Sequence, residues 1–179
     1  MRATDLPLNY NAVNILEHNL AERADKVALL SASRKLTFRQ VSNEVNQVGN
    51  ALKRLDVRMG ETVAILSPDL PEWVTSFFGI LKIGAIAAGM NTLLKPHEHA
   101  YILRDARARV LIVHASLLPG IESIRNELEF VKHIIVIGDP STAPLSSTPL
   151  RSAQNGSAQD AATVPPTPRP IRPRATRRR

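Results

Sequence analysis

The sequence predicts an α/β fold, a mainly parallel sheet with flanking helices, followed by a disordered C-terminal tail. Three observations predict it. Helical and strand periodicities alternate from Ala12 to Ile137, the pattern of βαβ units. Several strand segments are unbroken apolar runs, as a sheet covered on both faces requires. After Gly138 no aromatic residue or lysine recurs, and eight of the 13 prolines lie from Pro140 onward, a composition that cannot build a packed core.

The elements follow in order. Val13, Leu16 and Leu20 recur at helical spacing, predicting a helix from Ala12 to about Arg23. Short strands are expected over Val27 to Ser31 and Arg34 to Thr37. Thr37 stands three residues before Gln40, the arrangement in which each side chain satisfies an orphan backbone donor of the other, so a helix starts there. Its apolar stripe is Val41, Val45, Val48, Leu52 and Leu55, with Asn43, Glu44, Gln47, Lys53 and Arg54 off it. Burying five such side chains stabilises by about 8 to 15 kcal/mol as an upper bound, so this helix must pack on something.

Thr62 to Leu66 (TVAIL) reads as a strand buried on both faces. Asp69 or Leu70 caps the next helix, with Pro71 in its first turn, Glu72 near the positive end of its dipole, and Gly84 as its stop after Ile83. Ala85 to Met90 is expected to return as a buried strand. A helix from Pro96 through Arg104, a strand over Val110 to His114, a helix from Leu117 to Leu128 and a strand over His133 to Ile137 complete the alternation. No internal repeat is evident.

Composition excludes several functions. With no cysteine there is neither a disulfide framework nor a thiolate site, and a reducing, cytoplasmic setting is the expectation. The opening residues carry Asp5 and Pro7 where an export signal needs an apolar core. The most apolar stretch, Phe77 to Met90, has 14 residues and contains Lys82, short of the roughly 20 a bilayer crossing needs. The formal charge of +7 belongs to the end of the chain: residues 1–150 carry a net +1, whereas 151–179 hold seven arginines against Asp160.

The usual catalytic signatures are missing. His97-Glu98-His99 is a near-match to a zinc-protease helix, but the second histidine should stand at 101, which is Tyr101. Residues two apart point about 200° apart on a helix, so both histidines read as solvated helix surface. His18, His114 and His133 are isolated at element ends. Gly79 with Gly84 and Gly84 with Gly89 have the spacing of a phosphate loop, yet no Lys-Ser or Lys-Thr follows, and close packing explains them better. Ser67 and Ser76 have no histidine placed by any motif. The ending RPIRPRATRRR offers charge for phosphate backbones but no aromatic interleaving, so nucleic-acid binding is not the expectation.

Three segments resemble the adenylate-forming superfamily of acyl-CoA synthetases, luciferases and peptide-synthetase adenylation domains. Leu36-Thr37-Phe38-Arg39-Gln40-Val41 is similar to its first core motif, with Phe38, Gln40 and Val41 as mild departures. Phe78 to Ala85, running on to Asn91, is similar to the second; Tyr101 to Ala106 with the following VLIV strand is similar to another. The wording of NILEHNLAERADKVAL and GMNTLLKP resembles the benzoate-CoA ligase branch.

The resemblance implies residues 9–140 as an N-terminal part of such a domain, and 141–179 as a Pro/Arg-rich tail. It further implies, for full-length members, activation of a carboxylate with ATP and magnesium and transfer of the acyl group to CoA. The motifs seen are framework. The phosphate loop, the ribose-binding acid and the catalytic lysine have no counterpart, so no catalytic, cofactor-binding or metal residue is assigned, no cofactor is expected to bind these residues, and the chain is expected to be inactive alone. The alternative is a non-catalytic interaction protein whose basic tail meets acidic partners. Uncovered apolar faces predict self-association or chaperone dependence.

Overall fold

The computed structural model describes residues 10–32 and 34–139. The expected tail over 141–179 lies outside the described residues.

Four strands, β3 (Thr62–Leu66), β4 (Ile86–Gly89), β5 (Val110–His114) and β6 (His133–Ile137), form one wholly parallel sheet in the order β4-β3-β5-β6. The chain winds in two directions from β3. Helix α4 (Pro71–Lys82) leads to β4 on one side, and α5 (Pro96–Asp105) leads back to β5 on the other.

Strand alternation sorts the core into two layers. Val63, Ile65, Val110 and Ile112 meet Leu52 of α3 (Phe38–Arg54) and Ile80 of α4. Ala64, Leu66, Leu111 and Val113 meet Leu103 of α5 and Ile121 of α6 (Leu118–Ser123) on the opposite face. The sheet is therefore sandwiched between helix pairs, the arrangement that continuous apolar strands demand.

A smaller unit packs outside α3. Strands β1 (Val27–Leu30) and β2 (Lys35–Thr37) pair antiparallel, apart from the main sheet, with a slip in register between Val27 and Leu29. Leu36 of this hairpin joins Leu16, Val41 and Val45 in a third apolar cluster. Helix α3 starts as its sequence requires: Gln40 N donates to Thr37 Oγ1 at 3.3 Å, and Thr37 N donates to Gln40 Oε1 at 2.8 Å. Val41, Val45 and Leu52 of its stripe are buried, and Val48 and Leu55 are half-buried.

Three elements differ from the sequence expectation. The first helix is broken into α1 (Asn14–Glu17) and α2 (Leu20–Arg23). At the break, Asn19 turns its side-chain amide back to donate to the Ile15 carbonyl at 2.8 Å, the local competition that makes Asn a poor interior helix residue. The segment expected as one helix over 117–128 is α6 flanked by 3-10 turns at Ala115–Leu117 and Arg125–Glu127. There Gly120 is a poor helix former, and Ser123 donates its hydroxyl to the Gly120 carbonyl at 2.7 Å. Finally, β4 is an edge strand rather than a buried one, with Ile86 52 % exposed, because only β3 pairs with it.

Candidate functional site

In an open parallel sheet the crevice for a ligand lies outside the carboxyl ends of the strands, where the winding direction reverses. Here that point falls between β3 and β5. The residues leaving the strands at this edge are Ser67, Pro68 and Asp69 after β3, Met90 and Asn91 after β4, Ala115 and Ser116 after β5, and Gly138 after β6, with His114 as the last residue of β5.

Ser67, Asn91, His114 and Ser116 at this edge are engaged in shaping the backbone. Ser67 is buried and donates its hydroxyl to the Pro68 carbonyl at 3.0 Å. Asn91 Oδ1 accepts from Leu93 N at 2.9 Å, while the Asn91 carbonyl meets His99 Nε2 at 2.9 Å. Since a carbonyl can only accept, His99 carries its proton on Nε2 and thereby ties α5 to the loop that precedes it. His114 Nδ1 accepts from Ser116 N at 3.3 Å and lies 2.8 Å from Ser116 Oγ, capping the 3-10 turn after β5. Gly138, at φ +92°, lies against the His114 ring, and a Cβ there would collide with it. This serine–histidine pair is a capping arrangement.

His99 corrects one expectation. His97 is exposed as expected, but His99 is buried, since its face of α5 also carries Leu103 into the core. The two rings thus belong to different faces of the helix. Among the described residues there is no group of three or more His, Asp or Glu side chains placed to hold a metal ion. No helix among them is long and apolar enough to cross a membrane.

The glycines with phosphate-loop spacing are packing residues. A Cβ on Gly79 would lie 2.7 Å from Val48 Cγ1, so its absence lets α4 approach α3. Gly84 ends α4 at φ +79° beside Met59, and a Cβ on Gly89 would lie 3.2 Å from Trp73.

One functional-looking pair was not legible in the sequence. Lys82, its side chain only 4 % exposed, has its ammonium 2.5 Å from the Glu17 carboxylate, joining α4 to α1. Asn11 reinforces this junction by donating to the Leu81 carbonyl at 2.9 Å. The lysine inside an apolar run was the only signal, since a partner 65 residues earlier leaves no pattern. Arg34 makes a comparable bridge, reaching Glu44 of α3 at 3.0 Å and Glu72 of α4 at 2.7 Å. A further hollow of about 400 Å³ is lined by Tyr10, Asn14, Ile15, His18 and Asn19.

The fold is a doubly wound parallel sheet in which Ser67, Asn91 and Ser116 at the rim bond within their own loops. Residues 16–175 match the AMP-binding enzyme family, and the chain belongs to it. Among its relatives, the 3-hydroxybenzoate--CoA/4-hydroxybenzoate--CoA ligase of Thauera aromatica is 36 % identical over 120 residues, 67 % of this chain and 23 % of that protein. The 4-hydroxybenzoate--CoA/benzoate--CoA ligase of Rhodopseudomonas palustris is 30 % identical over 161 residues, 88 % of this chain and 30 % of that protein. The solved anthranilate CoA ligase AuaEII, in complex with anthranoyl-AMP, superposes with a TM-score of 0.74 and 67 % identity over 76 % of this chain and 27 % of that one. The chain thus spans 23 % to 30 % of these curated ligases' length, and the benzoate-type ligases indicated by the sequence wording are among its relatives.

Proposed function

We propose that residues 9–140 form an amino-terminal part of an ATP-dependent aryl-CoA ligase, a cytoplasmic enzyme that activates a benzoate-type acid as its adenylate and passes the acyl group to CoA. The observation that carries this reading is the 67 % identity to the anthranilate CoA ligase across the described fold. Anthranilate or a similarly small substituted benzoate is accordingly the proposed acid.

The role of these residues in that activity is scaffolding. Those described do not fit a triphosphate: the candidate glycines are filled by Val48, Met59 and Trp73, and Arg34, the cation beside the start of α4, is already paired with Glu72 and Glu44. No step with ATP, magnesium or CoA is therefore derived from them, and the 179-residue chain on its own is proposed to be inactive.

Two measurements test this. Purified chain incubated with magnesium, ATP, CoA and either anthranilate or benzoate should release no pyrophosphate above a protein-free control; sustained release would overturn the inactivity. Conversely, exchanging residues 10–139 for the matching segment of the anthranilate CoA ligase should leave that enzyme active, and a well-folded but inactive chimera would count against the assignment.

A second proposal concerns partners. The sheet has open edges at β4 and β6, neither strand carries Lys, Asp or Glu, and Ile86 and Val136 are 52 % and 45 % exposed there. Such edges favour self-association or chaperone capture of the isolated chain. Light scattering should show mass rising with concentration, less so for Val136→Lys; a monomer at every concentration would refute it.

A further inference from the structure

We draw no further inference here: the strongest candidate, the open β6 edge of the sheet with its half-buried Ile134, Ile135 and Ile137 and exposed Val136, carries nothing because nothing in the structure shows what covers it.

Discussion

Strands β3 and β5 are made of the same kind of residues as β4 and β6, short apolar runs without Lys, Asp or Glu, but their environments differ. Val63, Ile65, Val110 and Ile112 are at most 1 % exposed, with helices on both faces and a hydrogen-bonded strand on each side. Ile86 and Val136 have one neighbouring strand each and remain about half in water. Apolar composition therefore selects a strand for a two-faced sheet, and order within the sheet decides how much of that surface leaves water. The stabilising contribution follows area removed from water, so an edge residue such as Ile86 or Val136 adds about half of what a central one of the same kind adds.

The most direct way to break this contrast is a matched pair of truncations. Ile112→Ala in the middle of the sheet should destabilise by about 4 kcal/mol through lost transfer energy and a cavity that cannot collapse. Val136→Ala at the margin should cost about 0.5 kcal/mol. Urea denaturation of the two variants decides the matter, and comparable losses would show that the edge is as tightly held as the centre.

Next in size is a charge rather than a methylene. Glu17→Gln leaves the Lys82 ammonium in a buried position without its counter-charge, for an expected loss of about 3 kcal/mol. Replacing both, with Lys82→Met added, should recover much of it. If the single and double variants melt together, the pair contributes nothing as a pair.

Gly79→Ala sharpens the contrast from the helical layer. The new methyl would sit 2.7 Å from Val48 Cγ1 and 3.1 Å from the Val45 carbonyl, so α4 must shift from α3 at a cost of about 2 kcal/mol. Val48→Ala should relieve part of that, and a double-mutant cycle measures the coupling. A smaller effect than that of Gly79→Ala is expected at the surface, where Thr37→Ala removes one half of the capping box and should cost about 1 kcal/mol by thermal or urea melting.

Much of the candidate site's character was legible beforehand, because what matters there is local. Gly79, Gly84 and Gly89 sit within apolar runs with no Lys-Ser or Lys-Thr following, and each proves to be a packing position. His99 was not legible: the spacing separates it from His97 correctly, but only the packing of α5 on the sheet says which of the two faces inward. The Glu17–Lys82 bridge escaped for the same reason, as did the assignment of β4 to an edge.

Residues acting through near neighbours were determined by the sequence alone. The short apolar runs, the 3.6 period, the Thr37–Gln40 box and the glycine stop at Gly84 placed the strands and the longer helices, because backbone sterics and capping bonds act within a few residues. Where several weak local choices compete, as at Asn19 and around Ser123, side-chain bonds to the backbone divided what the pattern read as one helix. Tertiary structure alone decided which strands lie in the middle, which histidine is buried and which carboxylate meets Lys82. Those outcomes depend on contacts between residues far apart in the chain, and burial is a property of the whole assembled surface rather than of any one segment.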